Sequence, residues 1–227
     1  MSESAIGDLA MFPLGAPLLP GSTIRLQVFE PRYRAMMADL LAADAPGDAA
    51  PDLEFGVVMI ERGHEVGGGD VRSSVGCRAR IIDMQTTPDG RYGLVVLGGR
   101  RIRVVEWLPD DPYPRARVAD WPDEPEPTGV VAANYPVGAL IERITTLLTD
   151  MATHGELPPQ VVPPTAAALA ARLPDDITLA VYQLAAYAPL GPLDRARLLA
   201  APTLGARIEG FAAVLDDVEA AVKFRRS

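Results

Sequence analysis

Hydrophobic and polar positions alternate with a period of two through much of the first half of the chain. Ile24, Leu26 and Val28 are separated by Arg25 and Gln27. Cys77, Ala79 and Ile81 are separated by Arg78 and Arg80, and Ala116 and Val118 are flanked by Arg115 and Arg117. This period predicts strands with one buried and one wet face. Residues 55–60 form a nearly continuous apolar run, as expected of a strand covered on both faces. Asp89-Gly90 stands between the apolar residues ending at Met84 and those of 92–97, and predicts a tight hairpin in which both turn residues take positive φ. Gly98-Gly99 separates 92–97 from 102–107 and predicts a bend or bulge.

One helix interrupts this region. Pro31 suits a first helical turn, where its missing N–H costs nothing. Tyr33, Met36, Met37, Leu40 and Leu41 then fall on one face. Residues 44–52, rich in Pro, Gly and Asp, end the helix. Past the proline- and acid-rich residues 122–127 the period changes to 3.6. Val137, Leu140, Ile141, Ile144, Leu147, Leu148 and Met151 form one stripe, and Ile177, Val181, Leu184 and Tyr187 a second. Residues 157–164 read as a proline-rich loop and 194–200 as a short helix. Leu204, Ile208, Phe211, Leu215, Val218 and Val222 make the seam of a long final helix. The pattern predicts an α+β chain: a compact β unit with one helix over 1–120, an extended connector over 121–129, and an α-helical bundle over 130–227.

Charge and composition narrow the function. The 227 residues are 48% hydrophobic, with a formal net charge of -9 and both halves acidic, which disfavours a general polyanion binder. One cysteine, Cys77, excludes an internal disulfide and a cysteine-rich metal site, and favours a reducing, cytoplasmic setting. No signal peptide is evident at Met1, and no apolar run reaches membrane-spanning length.

Catalytic chemistry finds few candidates. The single lysine, Lys223, lies in Lys-Phe-Arg-Arg-Ser at the end of the sequence. It cannot serve a P-loop, which needs lysine after a glycine-rich turn, and it is poorly placed for a Ser-Lys pair. His64 and His154 read as solvated loop residues, too few for the common zinc sites. Gly67, Gly68 and Gly69 precede a strand rather than a helix and so read as a flexible loop, not a phosphate cradle. No cofactor and no metal is expected. Arg78, Arg80, Arg91, Arg100, Arg101, Arg103, Arg115 and Arg117 crowd one region. They read as a wet sheet face paired with carboxylates, or alternatively as an RNA-contacting face.

Several motifs in order carry a family resemblance. Phe12-Pro13-Leu14-Gly15 is followed by Leu19-Pro20-Gly21, then by Leu26-Gln27-Val28-Phe29-Glu30-Pro31-Arg32-Tyr33. Phe55-Gly56-Val57-Val58-Met59-Ile60, Val75-Gly76-Cys77-Arg78-Ala79, Asp89-Gly90-Arg91-Tyr92 and Gly98-Gly99-Arg100-Arg101-Ile102-Arg103-Val104 complete the series. The chain resembles the N-terminal, substrate-binding domain of Lon proteases. The resemblance implies a PUA-like pseudo-β-barrel followed by helices, and a region that recruits unfolded or tagged proteins, here expected to be freestanding, without ATPase or protease domains. Phe29, Glu30, Pro31, Arg32, Gly76, Asp89 and Gly90 are then family-motif residues with either structural roles, such as a buried Glu30–Arg32 ion pair and a tight turn at Gly76, or contacts to a ligand.

The expected function is a non-enzymatic adaptor that binds exposed hydrophobic segments of unfolded or partly folded client proteins, alone or with a separate protease. Leu18, Leu19, Tyr33, Met36 and Met37 are the candidate binding patch, with the residue 17–20 turn carrying both leucines outward. The alternative is an RNA-binding module using the arginine-rich strands.

Overall fold

The computed structural model describes residues 6–43, 53–63, 71–127 and 136–226. The segment 44–52, His64, and Gly67, Gly68 and Gly69 lie outside the described residues. Two compact units divide the chain, Met1–Pro122 and Asp123–Ser227.

The first unit contains β1 (Ile6–Leu14), β2 (Thr23–Val28), α1 (Pro31–Ala43), β3 (Glu54–Arg62), β4 (Val71–Thr86), β5 (Tyr92–Leu108) and β6 (Arg115–Asp120). The strands pair in the order β2-β5-β4-β3-β1-β6, and β6 also pairs with β5. That last pairing closes β5, β4, β3, β1 and β6 into a ring. All pairs are antiparallel except β1 with β3.

The length of β5 makes closure possible. Its first half, Tyr92 to Leu97, pairs with β2, and its second half, Ile102 to Leu108, pairs with β6. Between them the partner of β5 changes, and there its register against β4 slips by one residue, because Cys77 pairs with Arg101 while Ala79 pairs with Gly98. The predicted bulge is thus present, but inside one continuous strand. Gly98 is needed there: a Cβ would overlap the Leu19 carbonyl. The residue 19–22 turn leans on this point, with Gly21 N donating to Gly98 O and Gly98 N to Ser22 O, both at 2.8 Å.

The Asp89-Gly90 hairpin also differs from expectation. Of the two turn residues only Gly90 has positive φ (76°), and among the described residues no non-glycine residue does. Gly90 N donates to Thr87 O at 2.9 Å, and Thr87 N to Arg91 O at 2.9 Å. The connection is therefore a turn closed by one left-handed glycine, longer than the two-residue type. Asp89 instead accepts from the Thr87 hydroxyl, and this bond, with Arg91 nearby, holds its carboxyl below the usual range.

Strand β1 carries no alternating signal, since Met11, Phe12 and Pro13 are all buried. Beyond Ala10 it pairs with β3 alone, which is how Pro13 is accommodated without a lost ladder bond. The apolar interior has two clusters. One gathers Phe12, Phe55, Val57, Cys77, Leu94 and Val96 under α1. The other gathers Met11, Val58, Ile102, Ala116 and Val118.

The second unit holds α2 (Val137–Thr153), α3 (Ala166–Ala170), α4 (Ile177–Tyr187), α5 (Pro192–Ala200) and α6 (Leu204–Arg225). Thr165, Asp176 and Thr203 each accept a backbone N–H at the starts of α3, α4 and α6. The predicted apolar positions of α2 and α6 are buried, with Val137 and Val218 left half-buried, and Thr145 and Arg207, which the apolar pattern did not include, are buried with them. Residues 121–127 form neither helix nor strand, and those from Asp123 on belong to the second unit. Glu124 N donates to Pro202 O at 2.9 Å, and Gly205 N at the start of α6 donates to the Glu126 carboxylate at 2.6 Å. An anion at a helix N-terminus is favoured by the helix dipole.

Candidate protein-binding surface

Helix α1 places Tyr33, Met36 and Met37 inward. The Tyr33 ring stacks on Phe12 at 4.1 Å between centroids, and Met36 and Met37 are fully buried. Leu18 and Leu19 are also buried, Leu18 in the same cluster, and their turn closes inward through bonds from Ser22 N and Oγ to Leu19 O. The expected patch of Leu18, Leu19, Tyr33, Met36 and Met37 is therefore core, not surface. Its apolar stripe was real, but burying it under a five-strand ring is worth far more than leaving it wet: each large side chain fully buried contributes about 1.5–3 kcal/mol.

Between β2 and α1 the chain reverses at Phe29-Glu30-Pro31-Arg32. Arg34 N donates to Glu30 O at 3.0 Å, opening the helix, and Pro31 occupies its first position. Arg32 Nε lies 3.1 Å from Glu30 Oε2, and the Arg32 guanidinium sits 4.6 Å from the Tyr33 ring centroid. This pair is partly exposed rather than buried. Phe29, by contrast, is 50% exposed. Alternation explains it: Val28 faces the core, so the next side chain faces out. Its backbone is fixed on one side by strand pairing and on the other by the helix start, so an aromatic ring is held in solvent by rigid neighbours. The outward faces of the strands beside it add Val95 and Leu97, half-buried, and Ile82, which the β4 bulge between Ile81 and Asp83 leaves 50% exposed.

Gly76 lies in a strand, not in a tight turn. A Cβ there would overlap the Val57 carbonyl across the β3–β4 pair, so close approach explains the glycine.

Most of the clustered arginines are held by neighbours, and Arg80 is exposed without an ion pair among the described residues. Arg78 pairs with Asp120 at 2.9 Å, Arg100 with Asp120 at 2.5 Å, Arg117 with Glu106 at 2.7 Å, Arg91 with Asp89 at 2.8 Å and Arg115 with Asp8 at 3.7 Å. Arg101 is buried, donates to Trp121 O, and lies with Arg103 over the Trp121 ring at 3.9 and 3.8 Å.

Residues 8–216 match the model of the ATP-dependent protease La (LON) substrate-binding domain. The chain belongs to this family. A Lon N-terminal domain protein from Xanthomonas campestris is 27% identical, with a TM-score of 0.58 over 92% of this chain and 98% of that one. The N-terminal domain of the Mycobacterium avium complex Lon protease is 18% identical and shares the fold, with a TM-score of 0.58 over 93% of this chain and 99% of that one. No curated protein matches the chain.

The LON substrate-binding domain is a non-catalytic module. Burial pushes the Cys77 thiol up to about 12, where it is a poor nucleophile. His154 is exposed at the end of α2 and contacts Asp150. Among the described residues no group of three or more His, Cys, Asp and Glu could hold a metal, and no helix is long and apolar enough to cross a membrane. The helical unit has one further feature, a groove of about 330 Å³ between α2 and α6. Leu147 and Val222 lie in it, with Glu142, Arg143, Asp150, Glu219 and Lys223 around them. Arg143 is held there by Asp216 at 2.6 Å and Glu219 at 3.1 Å.

Proposed function

We propose that this chain is a non-enzymatic protein-binding module that holds exposed apolar segments of unfolded or partly folded client proteins. The observation that carries the reading is Phe29, an aromatic side chain kept half in solvent by a rigid backbone inside the most specific family motif. Ile82, Val95 and Leu97 add apolar surface further along the sheet, level with Arg25 to Thr23 rather than with Phe29. Aromatic anchors on rigid elements give contact area at low ordering cost. The closed ring with α1 against its core is in keeping with a PUA-like pseudo-barrel. Of the eight clustered arginines, Arg78, Arg91, Arg100, Arg115 and Arg117 are paired with carboxylates and Arg101 and Arg103 lie over Trp121, leaving Arg80 exposed, a sparse free charge that supports a protein client over a nucleic acid. A cytoplasmic adaptor working beside a separate protease is the form of this function that the acidic, single-cysteine composition fits best.

Phe29→Ser tests the reading. Affinity for a permanently unfolded, carboxymethylated model protein should fall about tenfold, as expected from losing one aromatic contact of roughly 1.4 kcal/mol. The melting temperature should hardly change, because the ring is half exposed. Unchanged affinity, or no binding by the unaltered chain, would refute it.

A further inference from the structure

Strand β2 ends the sheet order, and its phase can be worked out. Gly98 N donates to Ser22 O, and Thr23 to Val28 then pair without a register shift against Leu97 to Tyr92. In an antiparallel pair, hydrogen-bonded positions recur every second residue. Ile24, Leu26 and Val28 therefore bond to β5, while Thr23, Arg25 and Gln27 turn their N–H and C=O groups to the opposite edge. Among the described residues no strand pairs with that edge.

Edges of this kind are usually blunted by charged side chains, proline, a bulge or a covering element, and of these β2 itself carries a single charge, Arg25. Strand β2 contains no proline and no bulge, and Thr23, Arg25 and Gln27 are exposed. Arg25 makes no ion pair among the described residues, and its cross-strand neighbour on β5 is Val95, which carries no charge. A row of alternating donors and acceptors with one uncommitted guanidinium at its centre has a definite complement. That complement is an extended polypeptide with a carboxylate opposite Arg25.

We propose that the outer edge of β2 binds an extended client segment as an added strand, with an acidic residue of the client paired to Arg25. This deepens the proposed client-binding function and rests on it for the source of the segment. Strand geometry sets the required sequence pattern. Client side chains level with Arg25 and Gln27 face solvent and include the carboxylate, and the alternate ones lie level with Ile24, Leu26 and Val28 and are apolar. An unfolded protein offers such amphipathic stretches; a folded one has them paired already.

The test uses the full chain and a short, end-capped, fluorescent peptide that alternates valine and threonine around a central glutamate. Two further peptides carry N-methyl groups on alternate amides, one in each phase. Only the phase that faces β2 should lose binding, by roughly tenfold or more for the bonds removed. Thr23→Pro and Gln27→Pro remove outward N–H groups without touching the β5 ladder, and should weaken peptide binding with melting unchanged. Arg25→Glu should lose the glutamate peptide and gain its lysine counterpart. Equal binding of both methylated peptides, or no binding of the unmodified one, would overturn the proposal, and the peptides decide even if a proline variant fails to fold. If the proline variants hold the carboxymethylated protein as well as the unaltered chain does, the edge is wrong and client binding stands. If the peptides behave as expected but the unfolded protein is not held, the edge stands and the client reading falls.

Discussion

Arg207 on α6 is completely buried, and Asp123 grips it with both carboxylate oxygens, at 2.8 Å from Nη1 and 2.5 Å from Nη2. The guanidinium also donates to Leu198 O and Ala201 O and lies 4.1 Å from the Tyr182 ring centroid. A buried charge survives only with such company. Asp123→Ala should therefore cost about 3 kcal/mol in urea-induced unfolding, since it leaves the arginine without its counter-charge. Asp123→Leu with Arg207→Met should cost less than the single change, because both charges leave together. Equal stability of Asp123→Ala and the parent chain would contradict the pairing.

Gly76→Ala should destabilise by about 1–3 kcal/mol, the usual cost of forcing extra volume into a packed site. The added methyl meets the Val57 carbonyl, a backbone atom that cannot rotate away. Gly7→Ala is the control, because nothing lies near its position. Thermal melting of the two variants should separate them clearly.

Met36→Ala and Leu18→Ala should each cost about 2–5 kcal/mol, as core truncations do. Client affinity, measured on the fraction that remains folded, should not change. A stable Met36→Ala variant that loses client binding would return these side chains to the surface.

Cys77 sets a pH limit. Its thiol titrates near 12 in the folded chain against 9.0 ordinarily, because burial disfavours the thiolate. The folded value is raised, so the contribution to stability is whole below about pH 9. It is lost as pH rises from 9 toward 12, where the unfolded chain ionises and the folded one does not. At pH 8 a thiol-reactive dye should label the native protein only as fast as it opens, and denaturant should accelerate labelling in step with unfolding. Immediate stoichiometric labelling would show the thiol to be accessible.

How far the sequence could be read depended on which faces of an element are buried. The strand at Ile24, Leu26 and Val28 and the stripe at Tyr33, Met36 and Met37 were legible, because one face is wet and the period survives. Strand β1 was not, because Met11, Phe12 and Pro13 are covered on both sides and leave no period. The helix at Ala166–Ala170 is too short to carry one. The binding surface was harder still. A stripe of Tyr and Met looks the same whether it meets a partner or the chain's own ring, and what decides is the cluster of Phe12, Phe55, Leu94 and Val96 that α1 covers, assembled from distant strands. Phe29 was visible as part of a motif, and the alternation that buries Val28 turns it outward, but whether another element covers it is not stated by any local pattern.

The ring has an order of assembly built into its connectivity. Ile6 at the start of β1 pairs with Ala119 near the end of β6, and both neighbours of β1 are supplied by later residues. Contacts so distant along the chain form slowly, because a long loop must close first. Met11 shares its apolar cluster with Ala116 and Val118 of β6, so during synthesis its cover is complete only once these late residues have been made. A module proposed to hold such segments in other proteins thus passes through a stage in which it exposes one itself.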